Sequence, residues 1–525
     1  MRKLQYLLVL AAAALISTSC ADSYLNQYPG GASITEEQYY NMDQAVEGTV
    51  KGVYPLLYAY GGDHDSFGQR SIDMYGDLLC GDMAMNTFNY GWFQTDELGQ
   101  TYTRRGTFWV FYYDIIRACN KGLNALESLG VPPLTFDVDT MTTEKLKNGM
   151  YYAELLTMRG WAYGNLSHYF VEQGEDLATL CIPIYTQDDT RADTIIGAPR
   201  STVGDLYLRI EQDLLTAIQY FEAYNNTYIE RSSKIEVNGD VARILLAYSY
   251  LNKGDNTNAL KYAQEAITKG TPSLLPVAEV LTTGFNDVTH PNWIWGEDVT
   301  VQNTTSLASF FGQCDIYSYS YAGAGDVKGI DKNLYESIQA WDIRQFWWNN
   351  YAQSGKKSAK MYEYAPDGKF YTNKTEKKIE GDRDWLSDNI YMRWEVAYLI
   401  AAEAACRNHD VTNAQAYLFA ITDKRVIDTE AAAYATWQAG MANEISLLDA
   451  IEHNWRVEMW GEGYGLQTFR RYGNNRTLGE NHKRAKKDIS PTTARVFTFE
   501  IPNSEQYYNP FFRTTDDTKN LRKKN

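Results

Sequence analysis

Apolar positions recur at helical spacing in several long runs of this chain. Over 108–129, Tyr112, Ile115, Ile116, Cys119, Leu123 and Leu126 fall near one face, which predicts an amphipathic helix. Residues 150–170 form a second such run. Residues 202–221 form a third, with Ser201 or Thr202 as N-cap and Leu206, Ile210, Leu214, Ala217 and Ile218 on its inner face. Over 240–268 the pattern splits in two. Val241, Leu245, Tyr248 and Leu251 mark one helix, Asn252-Lys253-Gly254-Asp255 a turn, and Ala259, Tyr262, Ala263, Ala266 and Ile267 a second helix. Alternating small Ala with bulky Tyr or Leu lets two antiparallel helices approach closely, as in tetratricopeptide hairpins. Residues 391–421 repeat the design, with Tyr398, Ala401, Ala402 and Ala405, a break at Asn408-His409-Asp410, then Ala414, Tyr417 and Leu418. More than a hundred residues separate the two pairs, so they do not form one uninterrupted array in sequence.

The stretch between them, 271–388, loses the helical period. Gly, Asn, Asp and Pro punctuate bunched aromatics; 281–300 and 370–375 read as short strands or extended loops, and 380–388 as a charged connector. Trp293 and Trp295 read as core, while Trp347 and Trp348 fit either core or surface. A long irregular excursion is more often functional than scaffold. The expected fold is mainly α: a tetratricopeptide-like helical scaffold with a loop-rich, short-strand-containing region packed on it.

The amino terminus reads as an address. Arg2 and Lys3 precede an apolar run over 4–16, then Ser17-Thr18-Ser19 and Cys20. Small residues before a Cys resemble the lipobox of bacterial lipoproteins, although Ser17 stands where Leu is usual. Cleavage before Cys20 would leave it as the lipidated residue, and losing Arg2 and Lys3 takes the formal charge from −17 to −19. No later stretch reaches the ~18 apolar residues a spanning helix needs. The body is therefore expected to be soluble and anchored only at its lipidated end.

Charge and composition narrow the chemistry. With 66 acidic against 49 basic residues, the chain is a poor match to nucleic-acid phosphates. It carries 41 Tyr and 13 Trp against 19 Phe, many rings with one wet end, which suits interfaces and carbohydrate-facing surfaces. Cys80, Cys119, Cys181, Cys314 and Cys406 are scattered and never in CxxC spacing, so core filler is their expected role. The six His show no HExxH, and no GxSxG, P-loop or dinucleotide fingerprint occurs. The Gly-rich stretch 321–325 has no helix start or phosphate-binding Lys after it and reads as a loop. No catalytic residue and no cofactor is expected; Asp63-His64-Asp65 leaves a structural calcium open beside the plainer reading as a solvated loop.

Two ring-rich clusters stand out. One holds Asn89, Tyr90, Trp92 and Phe93, with Asp77 and Asp82 upstream; the other holds Asp315, Tyr317, Tyr319 and Tyr321. Tyr at every second position would put three rings on one side of an extended segment. A sugar offers a C–H face to ring planes and a hydroxyl rim to Asp, Asn, Gln and Arg. The plainer reading is that these rings pack the loops onto the helices.

Five segments in order resemble the SusD/RagB family, the surface glycan-binding lipoproteins of Bacteroidetes. They are Trp109-Val110-Phe111-Tyr112 through Ile115-Ile116 to Asn120; Glu154 through Arg159 and Tyr163 to Ile182-Pro183-Ile184; Pro199-Arg200-Ser201-Thr202-Val203 before Asp213-Leu214; Arg393-Trp394-Glu395 to Ala402-Glu403-Ala404; and Ile501-Pro502-Asn503-Ser504-Glu505 to Asn509-Pro510. Glu458-Met459, Glu462-Gly463 and Arg470-Arg471 sit where the family has similar pairs. Gly465 replaces a usual Arg, Thr468 a usual Asp, and Asn454 stands where Glu is common, positions expected to serve packing and ion pairs. The resemblance divides the chain into a lipoprotein signal peptide (1–19), an N-terminal SusD-like region with tetratricopeptide-type helices (20–270), the loop-rich, aromatic-rich excursion (271–388) and a C-terminal SusD/RagB region with a further hairpin (389–525). It also implies a non-enzymatic protein, lipid-anchored in the outer membrane and exposed at the cell surface, that captures oligosaccharide or polysaccharide and caps a SusC-like TonB-dependent transporter. Glycan contacts in that family come from an N-terminal and a central loop region. The alternative is a peptide- or protein-binding adaptor of the same transporter type without sugar binding.

Overall fold

The computed structural model describes residues 45–86, 90–93, 103–190, 197–224, 233–283, 285–317, 319–349, 362–370, 386–483, 487–491 and 497–514. The chain divides into two units, Met1–Gly48 and Thr49–Asn525. Of the first, only 45–48 are described, and they open helix α1 (Ala45–Lys51). Cys20 and the segment 371–375 lie outside the described residues.

The second unit is mostly helical, as the periodicity predicts. Its first helices are α2 (Gln69–Cys80), α3 (Thr103–Ser128), α4 (Thr143–Phe170) and α5 (Val203–Tyr224). Thr202 does cap α5: its hydroxyl accepts from the Asp205 amide at 3.0 Å while the Asp205 carboxylate accepts from the Thr202 amide and hydroxyl, a reciprocal cap. The two predicted hairpins are α6 (Gly239–Lys253) with α7 (Asn256–Lys269), and α9 (Trp394–Arg407) with α10 (Val411–Thr422), the short α8 (Phe310–Cys314) lying between them in sequence. Gly254 closes α6 in the left-handed region at φ 89°, and the Asp255 carboxylate caps α7. In the second pair His409 takes the left-handed turn at φ 62° and Asp410 supplies the cap.

The hairpins meet in space despite their separation in sequence. Consecutive neighbours run α4, α5, α6, α7, α9, α10, so the excursion interrupts the sequence but not the stack. Ala259, Ala263 and Ala266 of α7 and Ala401, Ala402 and Ala405 of α9 are fully buried. Small side chains there let the backbones come close.

Strands are few and short. Four antiparallel pairs occur among the described residues: β1 (Met83–Met85) with β5 (Lys328–Ile330), β2 (Leu180–Pro183) with β3 (Arg200–Thr202), β4 (Trp293–Glu297) with β6 (Asn389–Arg393), and β7 (Arg476–Thr477) with β8 (Asp488–Ile489). The β4–β6 pair ties the excursion to the start of α9. Trp293, Trp295, Trp347 and Trp348 are all core, none more than 2% exposed. The five described cysteines are buried.

The motif residues are structural. Arg159 of α4 forks onto Asp213 of α5 at 2.8 and 2.7 Å and donates to Asn120 of α3, so three separated segments meet in one buried cluster. A larger network surrounds Glu458, the last residue of helix α11 (Glu444–Glu458). Glu458 pairs with Arg344, Arg393 and Arg425 at 2.9, 2.8 and 2.7 Å. Arg393 also reaches Glu395 and Glu462, Arg425 reaches Glu395, Lys369 reaches Glu462, and Arg344 reaches Asp342. These four cations and four anions balance, and none of their side chains is more than 2% exposed. Asn454 joins as a neutral acceptor of Arg344 at 2.9 Å. Burial pushes the Glu458 carboxyl up, but Arg425, Arg393 and Arg344 together hold it well below the usual range. Helix α12 (Gly465–Tyr472) starts at Gly465, where any Cβ would sit 2.6 Å from Asp77 Oδ1, so the Arg usual in the family has no room.

Candidate functional site

The two sequence clusters converge, and the β1–β5 pair is the reason. Met85 faces Lys328, and the Asn86 amide extends the ladder to the Val327 carbonyl at 2.9 Å. Residues 90–93 therefore leave one strand beside the loop that leads into the other. A third segment completes the site. Tyr60 and Phe67 form an antiparallel bridge, and the Gly61 amide donates to the Ser66 carbonyl at 2.7 Å, closing a tight loop with His64 near its tip. Gly62 there has φ 95°, a conformation that favours glycine.

Five rings from these three segments touch. Trp92 stacks on His64 with centroids 5.5 Å apart and planes within 12°. Tyr321 stands edge-on to His64 at 5.6 Å, and Tyr90 stands edge-on to Tyr321 at 5.1 Å. Tyr60 closes on His64 at 6.4 Å. Tyr321 is mostly buried and its hydroxyl lies 2.5 Å from His64 Nδ1. Burial pushes the Tyr321 phenol up, a hydrogen bond with the Trp92 side chain opposing it. Tyr60 is 49% and Tyr90 51% exposed, and Tyr319 on the neighbouring turn is 60% exposed. The result is a surface patch of wet-ended rings over an ordered base.

A buried ion pair supports that base. Lys328 and Asp326 are fully buried and 3.0 Å apart. The Lys328 ammonium also donates to Gln313 Oε1 at 2.8 Å, and Gln313 Nε2 donates to the His64 carbonyl at 2.8 Å. The ammonium lies 5.9 Å from the Tyr321 ring centroid and 5.7 Å from that of Phe93. Burial draws its pKa below the ordinary lysine value, with Asp326 pulling the other way.

Three sequence expectations need correction. Phe93 is fully buried, its ring 4.8 Å from Tyr75 and 6.0 Å from Phe67, so it belongs to the core. Asp315 is 5% exposed and its carboxylate accepts from the Tyr317 amide at 2.8 Å, an acceptor spent on its own turn. Tyr317, Tyr319 and Tyr321 do not share a side. The segment is bent and turned rather than extended, because Asp315 ends α8 and the Tyr321 amide folds back onto the Gly312 carbonyl. Tyr317 instead packs against Ile316, Ala322, Val327, Tyr362 and Ala365, with its hydroxyl donating to Asp367. Asn89 lies outside the described residues. Tyr60 and His64 were not foreseen as part of a ring cluster; the only sequence signal was an aromatic and an imidazole flanking Gly61-Gly62.

Asp65 accepts from the Tyr75 hydroxyl at 2.7 Å and from the Phe93 amide at 3.3 Å. Among the described residues no group of three or more His, Cys, Asp or Glu converges as a metal site. Two grooves of about 600 Å³ lie elsewhere. One runs between α3 and residues 504–509, the other between 170–181 and 498–501, and neither is lined by the predicted rings.

Fold and patch together define a helical-repeat scaffold that displays a cluster of aromatic rings on loops. A SusD-like family model, described as starch-binding and associating with the outer membrane, matches residues 24–246. A SusD-like protein of Bacteroides ovatus is 28% identical over 122 residues, which span 23% of this chain and 21% of that protein. In fold, the chain is similar to a SusD-like carbohydrate-binding protein of Bacteroides vulgatus (TM-score 0.71, 20% identity, 89% of this chain and 96% of that one). It is similar likewise to SusD superfamily proteins of Bacteroides thetaiotaomicron (0.68, 20%, 90% and 98%) and Bacteroides fragilis (0.66, 18%, 91% and 100%). The SusD family resemblance thus holds in sequence over residues 24–246 and in fold over most of the chain. No helix among the described residues is long and apolar enough to cross a membrane.

Proposed function

We propose that this protein captures oligosaccharide at the ring patch of Tyr60, Tyr90, Trp92, Tyr319 and Tyr321, and breaks no bond in it. The observation that carries the reading is the meeting of three loop segments in one surface of wet-ended aromatics. Ring planes cover the C–H face of a sugar, and phenol hydroxyls with the exposed Asp63 answer its hydroxyl rim. A shallow patch with few rings binds weakly and releases quickly, which suits a protein that hands its cargo on. The family description and the carbohydrate-binding fold relative support the same chemistry. In this proposal Cys20 carries the lipid that holds the chain at the outer membrane, and the cargo passes to a SusC-like TonB-dependent transporter that the protein caps.

The test is affinity electrophoresis of the soluble chain, begun after Cys20, through gels containing starch, plant or host polysaccharides. Retardation by at least one, lost in Trp92→Ala and Tyr319→Ala with unchanged circular dichroism, supports the proposal. Retardation that both variants retain in full rejects this site.

A further inference from the structure

One residue of the ring cluster touches three of the patch rings. His64 is stacked on Trp92, met edge-on by Tyr321 and Tyr60, and joined through Nδ1 to the Tyr321 hydroxyl. The imidazole thus holds the indole by stacking and the phenol by an edge-on contact and a hydrogen bond. From the other side, the His64 carbonyl takes the Gln313 amide, and Gln313 rests on the buried Lys328–Asp326 pair. These contacts span three chain segments, 60–67, 90–93 and 313–328, which the Asp65–Phe93 and Gln313–His64 hydrogen bonds and the Phe67–Phe93 ring contact also join.

We infer that His64 is a positioning residue: it fixes the plane of Trp92 and locks the His64 loop to the Tyr321 turn, so that the exposed rings form one surface before cargo arrives. This inference rests on the proposed sugar site only for its consequence, since the ordering of Trp92 exists without ligand. A surface ring loses rotamer freedom on binding unless it is already held, so preorganisation shows up as affinity. Stacking and edge-on ring pairs contribute about 0.5–1.5 kcal/mol each. Loss of the His64 ring is therefore expected to weaken retention about two- to tenfold, with the fold intact.

The experiment labels the ligand-free soluble chain with 5-fluorotryptophan and assigns the Trp92 fluorine signal with Trp92→Phe. His64→Ala is expected to shift and broaden that one signal among those of the 13 tryptophans. His64→Phe, which restores a flat ring, should bring it back toward its starting position. Tyr321→Phe, which removes a single oxygen and leaves folding undisturbed, should give an intermediate change. A Trp92 signal indifferent to His64→Ala and Tyr321→Phe overturns the inference, whatever any sugar does. The same variants are then run in amylopectin gels. Weaker retention of His64→Ala with recovery in His64→Phe supports the functional consequence. A responsive Trp92 signal combined with amylopectin retention that survives Trp92→Ala would defeat the sugar reading of the patch and leave the positioning of Trp92 standing.

Discussion

Replacing Glu458 by Gln changes one charge and almost no volume in the most heavily ion-paired part of the molecule. Glu458 is fully buried and answers three guanidiniums, from Arg344, Arg393 and Arg425. The surrounding network is balanced, so Glu458→Gln leaves it with one uncompensated positive charge. It also turns an amide donor toward groups that can only donate. Removing one partner of a buried pair costs about 3–5 kcal/mol. With an unfolding entropy of about 2.1 cal/mol/K per residue, a unit of this size loses about 1 kcal/mol for each degree. The expected loss in Tm is therefore about 3–5 °C, read by circular dichroism at pH 7. The pH dependence gives a second check. In the unfolded chain Glu458 titrates at its ordinary value, whereas in the folded chain its three arginines keep it ionised well below that. The unfolded state therefore takes up the proton first. The stability Glu458 contributes is complete above its ordinary pKa and is lost as the solution is acidified through the folded one. The gap between wild type and Glu458→Gln should stay constant from neutral pH down to about 5 and narrow below it. Adding Arg425→Met to Glu458→Gln should recover part of the loss by restoring neutrality. A Tm unchanged at pH 7, or a gap that widens in acid, would refute the reasoning.

Other perturbations have defined outcomes. Asn454→Glu adds a fifth anion to the balanced network beside Arg344, and thermal unfolding at pH 7 should show a lower Tm that recovers toward wild type on acidification. Lys328→Met removes the cation that faces the buried Asp326 beneath the ring patch, which should cost about 3–5 kcal/mol in chemical unfolding and weaken polysaccharide retention as well. Thr202→Ala removes the cap of α5 and should cost about 1 kcal/mol in the same assay without touching retention.

The parts of this fold that were legible in the sequence are those whose information is local. Periodic burial along 108–129, 150–170 and 202–221 located three helices, and Gly254-Asp255 and His409-Asp410 marked both hairpin turns because caps and left-handed residues act within a few positions. The packing of α7 on α9 was not legible, because the excursion between them carries no repeat that announces where the chain returns. The site was legible by composition and not by geometry. Two ring-rich loops could be named, but their meeting depends on strands three residues long, too short to give a pattern. Alternation misled at Tyr317 because it presumes an extended backbone, whereas Asp315 and Gly312 fold the segment on itself. Phe93 misled because an aromatic beside Trp92 gives no sign that the chain has turned inward at φ 59°. His64 was missed because between two aspartates it reads as a loop or a cation ligand, and only tertiary contact makes it a ring partner.

The central claim is that exposed rings over an ordered base hold sugar without chemistry. Calorimetric titration tests it most directly, using the soluble chain, an oligosaccharide cut from whichever polysaccharide retards it, and a triple variant with Tyr90, Trp92 and Tyr319 changed to Ala. The account predicts a measurable binding heat for the wild type, none for the triple variant at equal thermal stability, and oligosaccharide recovered uncut. Equal binding by both proteins, or recovery of shortened sugar from the wild type, would contradict it.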